Sequence, residues 1–147
     1  MTKNIKLYSL PTTMRKIMVF GVFDGVHEGH RHFFKEAKKI GDYLIAVVAV
    51  DEIARVLKGK HPKKDITERI AEIEQEIEVD EVLVGDEEMG SWDIIKRIRP
   101  HVIAVGYDQK EMKKHLENSI ENFNWFIEIE TISAHKPEKY HSSLLNS

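Results

Sequence analysis

The sequence predicts an α/β domain built on a doubly wound, parallel, five-stranded sheet with helices on both faces. Three observations carry that expectation. Short apolar runs alternate with helix-periodic stretches along most of the chain, and this alternation builds parallel sheets through crossover helices. The run "YLIAVVAV" is apolar at every position, the pattern of a strand covered on both faces. Ile66, Ile70, Ile73 and Ile77 recur at helical spacing, which marks one apolar helix face.

The elements follow in order. "KIMVFGV" is the first strand, and a helix from about Gly29 to Ile40 follows it, with Phe33, Phe34, Ala37 and Ile40 as its apolar face. "DYLIAVVAV" is the second strand, followed by a short helix, "DEIARVL", and then by the isoleucine-faced helix. "EVLVG" is the third strand. "SWDIIKRI" is a helix stopped before Pro100, because a residue preceding proline is pushed out of helical backbone. "HVIAVG" is the fourth strand, Lys110 to Asn122 a further helix, and "WFIEIETI" a fifth strand whose alternation suits a sheet edge. Right-handed crossovers restrict such a chain to a Rossmann-like topology, here expected in the order 3-2-1-4-5. Ligands in these sheets bind at the carboxyl ends of the strands, where the winding reverses between strands one and four. Two chemically rich loops fall there: "GVFDGVHEGH", residues 21–30, and "GYDQ", residues 106–109.

Composition narrows the function. A chain of 147 residues suits one domain with a proper core. The first thirteen residues read as an appendage and residues 14–147 as the domain. A net charge of −3 and a pI near 6.2 give no reason to expect nucleic acid as partner. The absence of cysteine removes disulfides, thiolate metal sites and cysteine nucleophiles. No apolar run approaches the ~20 residues of a membrane helix, and no signal-peptide pattern is visible. A cytoplasmic protein is expected.

The glycine- and histidine-rich loop carries the chemistry. Zinc is disfavoured: in "HEGHR" the second histidine falls one residue short of the H-E-x-x-H spacing, and His32 is expected to point elsewhere on the helix. Neither the dinucleotide fingerprint G-x-G-x-x-G nor the P-loop pattern is present. A helix N-terminus, however, offers free N–H groups and a positive dipole end to an anion. His27 before the helix and His30 in its first turn add two imidazole donors, and Gly29 lets backbone approach a ligand. Such a constellation stabilises negative charge that grows during a reaction.

These residues also carry a resemblance. "GVFDGVHEGH" resembles the G-x-F-D-x-x-H-x-G-H signature of the cytidylyltransferase-like nucleotidyltransferases. The similarity runs from Lys16 onward through "VAVDEIARVLKGKHP", "ITERI" and "SWDIIKRIRPHVIAVGYDQ". Within the family, "LKGK" and "GYDQ" are most similar to the archaeal-type FAD synthase subgroup, itself similar to the glycerol-3-phosphate cytidylyltransferases. "YHSSLLNS" departs from the family's Ser/Thr-rich terminal motif, His141 standing where an apolar residue is usual.

The resemblance implies transfer of a nucleotidyl group from a nucleoside triphosphate to a phosphorylated small molecule, with release of pyrophosphate. ATP with FMN is the leading pair; CTP with glycerol 3-phosphate, an adenylyl transfer to a sugar phosphate and a catalytically silent nucleotide sensor are the alternatives. It further implies that His27, His30 and Lys58 are catalytic. Gly21, Val22, Phe23, Gly29, Lys60, Arg69, Gly106, Asp108, Ser142 and Ser143 are expected at the nucleotide, with Arg69 on the β- and γ-phosphates. Mg²⁺ is expected on the phosphates rather than in a protein cage, and the chain is expected to form a homodimer. Asp24 reads as a turn-setting support. Phe23, Trp92 and Tyr107 are candidate walls for a flavin ring, although a helix-start Trp such as Trp92 is more often packing or interface.

Overall fold

A computed structural model describes residues 13–134. Five strands, β1 (Lys16–Gly21), β2 (Tyr43–Val48), β3 (Glu81–Val84), β4 (Val102–Gly106) and β5 (Glu128–Ile132), alternate with helices α1 (Glu28–Lys38), α2 (Asp51–Lys58), α3 (Ile66–Glu74), α4 (Asp93–Ile98) and α5 (Lys110–Ser119). All strand pairs are parallel and the order is β3-β2-β1-β4-β5, as the sequence predicts.

The two-residue period of the strands explains why both faces are covered. Ile17, Val19, Leu44, Ala46, Val48, Val102 and Ala104 share a core with Phe34 and Ala37 of α1 and Ile73 of α3. The intervening residues Met18, Ile45, Val47, Ile103 and Val105 meet Ile94, Ile95 and Ile98 of α4 and Leu116 of α5. Every residue of β2 is buried, which is why its sequence shows no alternation.

Two elements are shorter than their patterns suggest. α3 stops at Glu74, and Ile77, the fourth isoleucine of the series, is 88% exposed. The chain must turn there to enter β3: Val79 takes the buried place, and the Asp80 amide donates to Leu44 O at 2.9 Å. β5 begins only at Glu128 because Trp125 is engaged elsewhere. Its indole N–H donates to Pro100 O at 2.9 Å, and Arg99 lies over its ring at 4.3 Å.

The register creates a crevice. β1 pairs with β2 over its full length, from Lys16↔Tyr43 to Gly21↔Val48. β4 likewise follows β5 to Gly106↔Ile132. Between β1 and β4, however, the ladder holds only Ile17↔Val102 and Met18↔Ile103. Beyond those pairs the carboxyl ends of the two central strands share no ladder, and this is the point where the winding reverses.

Candidate active site

A cleft of about 1040 Å³ opens at that crevice. Its walls are the loop after β1, the first turn of α1, the end of α2, the loop after β4 and the exit of β5.

The two histidines are bound to the helix end reciprocally. His27 is the N-cap of α1, and its Nδ1 accepts the Gly29 N–H at 3.0 Å. His30 reaches back, and its Nδ1 accepts the His27 N–H at 3.3 Å. This is the capping-box geometry executed by two imidazoles. A backbone amide can only donate, so each Nδ1 is unprotonated and the proton of each neutral ring sits on Nε2. The rings stack 4.0 Å apart. Gly29 is required for this fold-back, since a Cβ there would come within 2.8 Å of His27 Cε1.

Phe23 locks the pair from beneath. It adopts φ 53°, a strained conformation for a side-chain-bearing residue, and is 4% exposed. Its ring meets His30 edge-on at 5.4 Å and lies 5.3 Å from Phe34. Gly21 leaves room for it, because a Cβ would fall 2.6 Å from the Phe23 ring. Burial, and next the neighbouring His27, push the His30 pKa down to about 4, while Asp108 and the backbone of Gly25 pull the other way. His30 is therefore neutral at pH 7.

Asp24 ties the cleft to the basic loop. Its side chain is 3% exposed. It accepts from Lys58 Nζ at 2.8 Å and from the amides of Lys63 and Lys64 at 2.7 and 3.0 Å. These bonds, the Lys58 one foremost, hold its carboxyl well below the usual range. The amides it binds belong to the distant lysine loop rather than to its own turn.

Of the expected residues, Gly21, Val22, Phe23, His27, Gly29, His30, Lys58, Gly106 and Asp108 all line the cleft. Lys60 is exposed and does not line it. Arg69, expected at the phosphates, is 0% exposed and lies behind the wall. It donates to Val22 O, Ala49 O and Lys64 O at 2.8–2.9 Å and to Asp51 at 2.6 Å, so its guanidinium staples three segments together and does not reach the cleft. Ser142 and Ser143 lie outside the described residues. Trp92 packs edge-on against Phe20 at 6.1 Å and bonds Ser119, away from the cleft. Tyr107 lines the cleft and is 55% exposed. His32, expected to point elsewhere, also lines it, with Nε2 3.1 Å from Ser133 O. Gln109 is a further cleft residue that the sequence left without a role; its position in "GYDQ" was the available signal. Among the described residues no group of three or more His, Asp or Glu is placed to hold a metal, and no helix is long and apolar enough to cross a membrane.

A family model described as cytidylyltransferase-like matches residues 18–146. The chain belongs to this family. It is a nucleotidyltransferase, and the matched region includes the histidine pair. The chain is 38% identical to an FAD synthase of Pyrococcus horikoshii, over 78% of this chain and 77% of that one. It is 38% identical to an FAD synthase of Thermoplasma volcanium, over 88% and 90%. A crystal structure described as a lipopolysaccharide core biosynthesis protein, also from Thermoplasma volcanium, superposes with a TM-score of 0.77 at 37% identity, covering 84% of this chain and 99% of that one. A pantoate-beta-alanine ligase from Francisella tularensis shares the fold, with a TM-score of 0.64 at 11% identity, covering 89% and 63%.

Proposed function

We propose that this nucleotidyltransferase is an FAD synthase, joining the adenylyl group of ATP to FMN. The observation that carries the reading is the reciprocally capped histidine pair at a helix N-terminus, inside a cleft spacious enough for two substrates; the relatives named FAD synthase supply the choice of acceptor. A phosphate oxygen of FMN attacks the α-phosphorus. The bond from that phosphorus to the bridging oxygen breaks, and pyrophosphate leaves with the electron pair. The attacking oxygen is already ionised at neutral pH, so no general base is needed. Catalysis reduces to positioning and charge stabilisation.

In this reading the Nε2–H groups of His27 and His30, with the α1 N-terminus behind them, bind oxygens of the α-phosphate as charge accumulates there. A neutral His30 with its proton on Nε2 still has one N–H to donate to a phosphate oxygen. Lys58, held beside the cleft by Asp24, turns its ammonium to the phosphates. Asp108 faces the ribose or base, Lys60 adds positive charge from the exposed loop beside the cleft, and Ser142 and Ser143 are assigned to the phosphates. A divalent ion, Mg²⁺ in this proposal, would be held mainly by nucleotide phosphate oxygens and would neutralise their charge. Tyr107 is the exposed aromatic surface suited to the flavin ring, since Phe23 is buried and Trp92 is packed elsewhere. The reading extends to a cytoplasmic homodimer, which light scattering tests for assembly.

Incubation with Mg²⁺, ATP and FMN, followed by chromatography, tests the reaction. FAD and pyrophosphate in equal amounts are expected. Absence of FAD alongside CDP-glycerol formed from CTP and glycerol 3-phosphate would overturn the flavin reading.

A further inference from the structure

Where the β1–β4 ladder stops, backbone groups on the facing edges of both strands lose their partners. A buried amide or carbonyl without a partner is costly, so something must replace the ladder. Phe20 O on β1 and Gly106 N–H on β4 are two such groups. Both are met by one side chain. Gln109 Oε1 accepts the Gly106 N–H at 2.8 Å, and Gln109 Nε2 donates to Phe20 O at 2.8 Å.

We infer that the Gln109 carboxamide is a strut that fixes the spacing of the two cleft walls, and that it is a positioning residue for nucleotidyl transfer. A primary amide presents an acceptor and a donor side by side, as a peptide group does, and it stands between the strands as a short substitute for ladder bonds. Glutamate when ionised only accepts, and methionine does neither. One end of the strut leads directly to the histidine loop: Phe20 precedes Gly21, whose missing Cβ seats Phe23 beneath His30. The other end is the loop carrying Asp108, whose carboxyl folds back over Gly106; a Cβ on that glycine would lie 2.9 Å from Asp108 Oδ1. Gln109 thus joins the donors on one wall to the carboxylate on the other. Misplacing reacting groups by about 1 Å costs on the order of 10²-fold, and ground-state binding is far more tolerant. Loss of the strut should therefore fall on kcat.

The inference rests on the nucleotidyltransferase reading, and its test includes a readout independent of turnover. Gln109→Met is expected to lower kcat about 10- to 100-fold, with KM for ATP changed by less than about threefold. The Gly106 amide, which bonds the side-chain oxygen, should lose hydrogen-exchange protection in that variant while Ile103 and Val105 keep theirs. Gln109→Glu keeps the acceptor for Gly106 but sets a carboxylate oxygen against Phe20 O. It should keep Gly106 protection and still lose kcat. Wild-type kcat in a folded Gln109→Met, or a Gly106 amide equally protected with and without the glutamine, would overturn the strut. Should Gln109→Met not fold, Gln109→Glu takes its place, and wild-type kcat there overturns the inference. If the wild-type protein makes no FAD, the proposed reaction fails while the exchange measurement still judges the strut.

Discussion

The two ends of the sheet use similar residues for opposite purposes. At the amino end, His101 Nδ1 accepts the Lys16 N–H at 3.0 Å, and Lys16 Nζ donates to Ile98 O at 2.7 Å. Arg15 bonds Ile40 O and Glu128 through its guanidinium and Asp42 through its amide. Polar atoms there close strand ends onto one another. At the carboxyl end His27 and His30 also spend Nδ1 on backbone amides, but both residues line an open cleft at a helix N-terminus. The imidazole-to-amide bond is thus common to both ends. What separates the two ends is whether the histidines sit among closed strand ends or on a cleft wall, and that is decided by where the strands part.

Arg69 offers the sharpest way to break this comparison, because it lies at the carboxyl end yet behaves as a fastener. Arg69→Met should cost about 3 kcal/mol of stability or more, because the carbonyls of Val22, Ala49 and Lys64 lose their buried donor, measured by urea denaturation. A folded, stable variant with a raised KM for ATP would return Arg69 to the phosphates.

The histidine pair comes next. His27→Asn and His30→Gln keep side chains able to cap the helix but remove the Nε2 donors. Each should lose about 10²- to 10³-fold in kcat, the size expected for one transition-state donor, with little change in melting temperature. A stability loss with retained activity would place both ends of the sheet in one class.

Lys58→Gln should lower kcat/KM for ATP about 10- to 100-fold, the worth of a charge-assisted bond. Steady-state kinetics indistinguishable from wild type would leave Lys58 as only the partner of Asp24.

A pH profile reports on both ends more gently, since burial also lowers the His101 pKa, and a variant assigns the His30 share. His30 titrates near 4 in the native protein, against ~6.5 in an unfolded chain. Between those values the unfolded chain binds the extra proton, so the stability due to neutral His30 is complete above about pH 6.5 and is lost as pH falls toward about 4. His30→Gln should flatten that slope in denaturation series. Phosphate binding beside the ring should also raise the His30 pKa, seen by NMR with ATP present.

The smallest effect belongs to His101. Its replacement by alanine strands one amide and should cost about 1 kcal/mol, with kcat within twofold of wild type.

The fold was legible because it rests on periodicity: the runs of β1, β2 and β4 and the alternation between helices and strands survive in one dimension. So was the placement of His27, Gly29 and His30 at a helix N-terminus, which is local. Ile77 was misleading because helical spacing carries no signal for where a chain must turn toward its next strand. Arg69 and Gln109 were not legible in their roles. Each bonds residues far away in sequence, such as Val22 and Phe20, and a basic or amide side chain looks the same in sequence whether it faces a substrate or a carbonyl.

The strand order also has a kinetic consequence. β1 is made early, yet one of its neighbours, β4, arrives much later, with Lys16 and His101 bonded across 85 residues. Among the described residues the last parts of the cleft wall come later still, Ser133 and Ala134 at the exit of β5. Parallel pairings between such distant segments are slow to form, because loop closure must be met before contacts repay it. On a ribosome the β1–α1–β2 portion emerges with one edge of its central strand uncovered until β4 docks, an opening for intermolecular pairing. The histidines are among the first functional groups synthesised and among the last to acquire a site.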